Sequence, residues 1–170
     1  MFVGIVQSIT VIAACVLGVA GLQKLRAPAT ADAALRAQGI RAPAGAARLL
    51  GVVELGVAWA AIVGWRAGHG AMALLYLAFA GFLLRAIRHH APCGCLGRDD
   101  SPATSTQAGL DVAFAISAAL ALAVEPLHVG SMSTTAIVAF AIVVGLGITL
   151  TTQIIGPLAA LMAQTRRVGR

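Results

Sequence analysis

The sequence predicts an all-α fold, a polytopic membrane helix bundle with four core transmembrane helices plus a fifth C-terminal one. Three observations predict it. Of 170 residues, 59% are hydrophobic and 11% charged, with a mean hydropathy of +0.92. A soluble domain carries about 25% charged residues, so this chain has too few to clothe a water-soluble globule. The apolar residues fall in long runs separated by short polar stretches. The runs are built from Ala, Val, Leu, Ile and Gly, with only 5% aromatics. That composition suits tightly packed membrane helices, where close backbone approach replaces the hydrophobic drive. Soluble, disordered and fibrous classes are excluded.

The spans follow in order. Residues 2–22 carry no charge and are long enough for about 30 Å of hydrocarbon at about 1.5 Å per residue. No basic residue precedes them, and Lys24 and Arg26 follow, so the run reads as an uncleaved signal anchor. Residues 23–48 are polar and carry Lys24, Arg26, Asp32, Arg36, Arg41 and Arg48, punctuated by Pro28 and Pro43. Within them, 31–38 reads as a short interfacial helix closed by Gly39. The second span is 49–65, with Trp65 placed as an interface anchor and Glu54 as its one charge. A turn over 66–70 leads to the third span, 71–87.

A chemically dense segment comes next, containing Arg88, His89, His90, Pro92, Cys93, Gly94, Cys95, Gly97 and Arg98. Residues 107–124 form the fourth span, with Asp111 in its first turns. Glu125-Pro126 breaks the run, and 134–155 forms the fifth span ahead of a short basic tail. This divides the chain into a four-helix membrane domain, 1–125, and an additional helix with tail, 126–170.

Eleven of the twelve Lys and Arg residues fall in alternate loops and the tail; Arg66 alone falls in the others. The positive-inside rule then places the N-terminus outside, the C-terminus in the cytoplasm and the cysteine loop on the cytoplasmic side of a plasma (inner) membrane. The net charge of +6 is spent on this orientation and on anionic lipid. No basic patch is interleaved with aromatics, so the bilayer is an expected partner and nucleic acid is not.

Cys93-Gly94-Cys95 is the leading candidate for chemistry. Cysteines two apart in a turn lie within the about 4.4–6.8 Å Cα separation that a disulfide tolerates. Gly94 frees the backbone of the small ring, and ring strain favours a labile, exchange-prone bond. Arg88 and Arg98 favour the thiolate. Two readings compete with redox: a pair of inert thiols, and a metal site made of His89, His90, Cys93 and Cys95, whose donors suit Zn²⁺ or Cu(I). Adjacent histidines on a helix diverge by about 100°, which disfavours the metal, and redox leads. Glu54 is the second candidate, because an ionisable group inside a span is costly. It reads either as a proton or pKa partner of the cysteine pair or as half of a buried ion pair near where Lys24 can snorkel, with the packing reading ahead. Cys15 reads as a small hydrophobe. Ala14, Gly18 and Gly21 read as a packing stripe, and Asp111, Glu125 and His128 as solvated helix ends. No Walker, Rossmann or haem-attachment motif occurs. No cofactor is expected beyond a redox-active disulfide; nothing compels a quinone or a metal, and nothing excludes either.

Lys24-Leu25-Arg26-Ala27-Pro28, Glu54-Leu55 and Cys93-Gly94-Cys95-Leu96-Gly97, in that order over roughly residues 1–125, resemble the methylamine utilisation protein MauE family of DoxX-like four-helix membrane proteins. The sequence departs from the family at Leu96, where Phe is usual, and at Gly109-Leu110-Asp111, where an Arg-Asn pair commonly opens span four. The resemblance implies thiol-disulfide exchange or maturation of an exported protein, such as the disulfide-rich small subunit of methylamine dehydrogenase, beside a thioredoxin-like partner. Maturation of an exported client wants the cysteines outside, whereas the charge count puts their loop inside. A motif sunk at the interface, or electron relay from the cytoplasm, reconciles the two, and the working side stays open. A metal-handling membrane protein and a non-catalytic assembly factor are the alternative functions.

Overall fold

The computed structural model describes residues 2–89 and 103–123, together with 142, 145 and 146. Among them the elements are all helical: α1 (Phe2–Arg26), α2 (Pro28–Ala37), α3 (Ala46–Ile62), α4 (Arg66–His89) and α5 (Ser105–Ala121). α1 packs most extensively on α3 and α4 on α5, and α3–α4 and α1–α5 contacts close the ring. Neighbours in the ring run antiparallel. Gly18 meets Ala58 while Gly21 meets Glu54 and Gly51, and Arg66 at the start of α4 donates to the carbonyl of Leu122 just past α5, at 2.6 Å. The short helix α2 lies against α1 and α3.

Each helix stops where its local chemistry stops it. Pro28 opens α2, where its missing N–H is no loss. At the other end Gly39 takes φ +74; its N–H reaches Arg36 O and that of Ile40 reaches Leu35 O, both at 2.9 Å. This pair of bonds is a Schellman closure. The same device ends α3 at Gly64, φ +80, with Gly64 N–H on Ala61 O and Trp65 N–H on Ala60 O. Thr104 starts α5 with a reciprocal capping box to Gln107.

The interior is small and partly polar, and the outside is large and apolar. The core joins Ala13, Ala14, Leu17, Ala58, Met72, Tyr76, Phe114 and Ala115. Thr10, Lys24, Glu54, His69 and Ser117 are buried beside them. Leu49, Val52, Trp59, Leu74, Leu77 and Ile116 are exposed, Leu74 by 70% and Trp59 by 66%. A soluble protein does not display so large an apolar surface; a bilayer covers it. Two helices, Val3–Arg26 and Arg66–His89, are long and apolar enough to cross a membrane. α3 and α5 have 17 residues each, which at about 1.5 Å per residue falls short of about 30 Å of hydrocarbon.

Two expectations need correction. Residues 66–70 are helical, as the opening turns of α4. Gly68 serves close packing instead: a Cβ there would lie 2.6 Å from the backbone of Ala60, so only glycine lets α4 start against α3, whereas Gly70 has nothing within 4 Å of its would-be Cβ. Asp111 is not a helix end: it lies half-buried in the middle of α5, at helical spacing from the buried Ala108, Ala115 and Ala118. The interfacial helix expected over 31–38 starts earlier, at Pro28, and is closed by Gly39 as expected. The fifth span, apart from 142, 145 and 146, and the residues His90, Cys93, Cys95, Glu125 and His128 lie outside the described residues.

Candidate functional site

The densest chemistry among the described residues is a charged cluster inside the bundle. Lys24 stands in the last turn of α1 and Glu54 about two turns into α3. Because helical Cβ atoms tilt toward the N-terminus, the Lys24 side chain runs back along α1 into the bundle instead of snorkelling outward. Its Nζ lies 2.8 Å from Glu54 Oε1 and donates to Oε2 at 3.0 Å. Glu54 is completely buried and the Lys24 side chain is 9% exposed. The ammonium also lies 5.5 Å from the centre of the Phe79 ring, within range of a cation–π attraction.

Two glycines make the pair possible. A Cβ on Gly21 would lie 2.8 Å from Gly51 O, and a Cβ on Gly51 would lie 2.7 Å from Gly21 O. The backbones of α1 and α3 therefore touch, and Lys24 and Glu54 each follow one of these glycines by one turn. Buried charges persist only when paired at short range, and this crossing provides the range.

Around the pair stand Tyr76 of α4 and Asp111 of α5. Tyr76 Oη donates to Ala13 O at 2.6 Å, and its ring packs on Phe79 and Phe114. Asp111 is half-buried. Farther along the axis, Thr10 Oγ1 donates to Val6 O at 2.8 Å and lies 3.2 Å from Ser117 O, tying α1 to α5.

The structure thus gives Glu54 its partner, Lys24, which is the packing reading; it brings neither into described contact with a cysteine. α4 ends and α5 begins at the same end of the bundle as this pair, and the chain between them contains Cys93 and Cys95, outside the described residues. His89, the last residue of α4, is exposed. The described residues hold no group of three or more metal-ligating side chains. Cys15 is a half-buried free thiol. Tyr76 escaped the sequence reading, and Asp111 entered it only as a solvated helix end. The available signal was the spacing of Asp111 from Ala108, Ala115 and Ala118, which places an acid on a stripe of small residues.

An all-helical bundle with an apolar exterior and a buried Lys–Glu pair defines a membrane protein of the small helical-bundle class. A family model, Methylamine utilisation protein MauE, matches residues 3–124, and the chain belongs to that family. No curated protein and no solved structure matches the chain.

Proposed function

We propose that this chain is a multi-pass plasma-membrane protein of methylamine utilisation whose Cys93/Cys95 pair exchanges disulfides to mature an exported protein, such as a methylamine dehydrogenase subunit. The observation that carries the reading is the coincidence of the family match with a Cys-Gly-Cys motif in the connection between α4 and α5, whose flanking ends lie at the Lys24–Glu54 end of the bundle. α1, α3, α4 and α5 are the four core spans in this reading, and 134–155 adds a fifth.

The reaction balances within the two proteins. A client thiolate attacks one sulfur of the Cys93–Cys95 disulfide, giving a mixed disulfide and a free thiolate on the other cysteine. A second client thiolate then displaces the chain, leaving a client disulfide and a Cys93/Cys95 dithiol. The disulfide of a thioredoxin-like partner reoxidises the dithiol by the same two steps. Glu54 acts through Lys24: held as half of an ion pair, it fixes the charge of the bundle end from which the cysteine segment departs.

Redox-controlled alkylation with mass spectrometry tests the reading. Cys93 and Cys95 should be linked to each other in the oxidised protein and released by mild dithiol, with Cys15 alkylated slowly in both states. Either single Cys→Ser variant should trap a mixed disulfide with a partner or abolish turnover. Thiols that stay reduced under oxidant, with about one zinc or copper per chain, would replace this reading by the metal site of His89, His90, Cys93 and Cys95. Client maturation that survives the double Cys→Ser variant would leave a non-catalytic assembly factor.

A further inference from the structure

We propose that the arginine-bearing end of α4 holds an anionic phospholipid, with its phosphate on Arg85 and Arg88 and an acyl chain along Leu84, Gly81, Leu77 and Leu74. These residues recur at intervals of three and four, so they share one face of the helix. The face is turned out of the bundle. Leu74 is 70% exposed, Leu77 52% and Leu84 50%, and Gly81, Arg85 and Arg88 are exposed with them. Nothing lies within 4 Å of a Cβ built on Gly81, so the stripe has a shallow dip midway. From Leu74 to Arg85 the helix rises about 16 Å, at about 1.5 Å per residue. Half of a hydrocarbon core of about 30 Å is about 15 Å. A lipid whose phosphate sits at the arginines therefore lays its chain beside the leucines over the depth of one leaflet.

The arginines have charge to spare. Arg85 Nη2 donates to the backbone carbonyl of Gln38, at the end of α2, at 3.2 Å. That acceptor is neutral, so the bond positions the guanidinium without neutralising it, and the other N–H groups of the fork remain. Among the described residues Lys24–Glu54 is the only salt bridge. Arg85 and Arg88 thus have no carboxylate, and neither do the exposed Arg26, Arg36, Arg41 and Arg48 at the same end. Gln38 supplies an independent observation. It is 3% exposed, one turn beyond the buried Ala34 of α2, and neither its amide oxygen nor its amide nitrogen has a partner. A buried amide left in that state calls for a polar partner. A phosphodiester accepts from guanidinium and amide N–H groups alike, and the hydroxyl of a glycerol headgroup donates to an amide oxygen.

Head and stripe together ask for one molecule, an anionic polar group joined to a long apolar tail. Free phosphate or an acidic protein matches the arginines and not the leucines. The site does not depend on the disulfide-exchange reading, and it holds whichever leaflet this end of the bundle faces.

The test is native mass spectrometry of the full-length protein, delipidated in detergent and offered equal amounts of dioleoylphosphatidylglycerol and dioleoylphosphatidylcholine. The wild type should retain the anionic lipid in preference, since each arginine at a membrane surface contributes about fivefold toward it. Arg85→Gln and Arg88→Gln should each lower the preference about fivefold, and the double variant should bring it near parity. Arg88 is exposed, so its variant reads the site without disturbing the fold. Arg48→Gln, at the same end on α3, and Arg66→Gln, at the opposite end, should keep the preference. Equal retention of the two lipids by the wild type, an unchanged preference in Arg88→Gln, or an equal loss in Arg48→Gln would each overturn the inference. Displacement of the lipid by poly-glutamate or by millimolar inorganic phosphate would overturn it too, and would assign the arginines to an acidic protein or to free phosphate.

Discussion

Lys24 and Glu54 show how a single contact decides what two residues mean. Either alone is an expensive charge in an apolar helix; together, at 2.8 Å and sealed from solvent, they tie the end of α1 to the middle of α3. Removing one partner should therefore hurt more than removing both. Lys24→Met leaves Glu54 buried without a counter-charge and is expected to cost about 3–5 kcal/mol. The double variant Lys24→Met/Glu54→Leu replaces the pair with apolar volume and should recover most of that loss, read as thermal unfolding in detergent. A double variant no better than the single would mean that the pair contributes through something other than charge compensation.

The helices meet where side chains are missing. α1 and α3 approach until Gly21 and Gly51 each face the other's carbonyl oxygen, and that approach sets the distance between Lys24 and Glu54. Gly51→Ala inserts a Cβ against backbone, which cannot swing aside, and should lower stability by about 1–3 kcal/mol. Gly56 lies on the same helix with nothing within 4 Å of its would-be Cβ. Gly56→Ala should therefore be neutral or raise stability by about 0.5–1 kcal/mol through helix propensity. Thermal unfolding of the two variants side by side checks the assignment, and equal effects would remove the close crossing from the account. The Schellman closures at Gly39 and Gly64 work at the same level: each ends a helix within one turn, and the one at Gly64 leads from α3 into the antiparallel α4.

Taken as a whole, the bundle separates its charges. Arg26, Arg36, Arg41, Arg48, Arg85 and Arg88 are exposed at the end where α1 and α4 finish. Arg66 stands at the opposite end, its guanidinium on Leu122 O. Between the ends the surface is apolar, with Trp59 and Leu74 among its most exposed side chains. Reporter fusions after Arg41, Arg98 and Arg170 are expected to read cytoplasmic, and those after Gly68 and Gly130 external, because the arginine-bearing end resists translocation. The reverse pattern would invert the bundle and put the cysteine connection on the outer face.

Much of this was legible without coordinates. Composition alone assigns the membrane class, since an 11% charged chain has no other solvent. Gly39 announces the end of α2, and the spacing of three motifs points to the family. Glu54 declares itself as the lone charge in its span. The boundary at 66–70 was misread because glycine marks both turns and close contacts, and local sequence does not distinguish them. Helices that are apolar on every face give no stripe from which to read their rotation. Which residues turn inward is then set by where backbones can touch, at Gly21, Gly51 and Gly68. That geometry made Lys24 the partner of Glu54, brought Tyr76 to the carbonyl of Ala13, and placed Asp111 half-buried in the middle of α5. Pairing across the bundle depends on distances between segments far apart in the chain, and only packing supplies those.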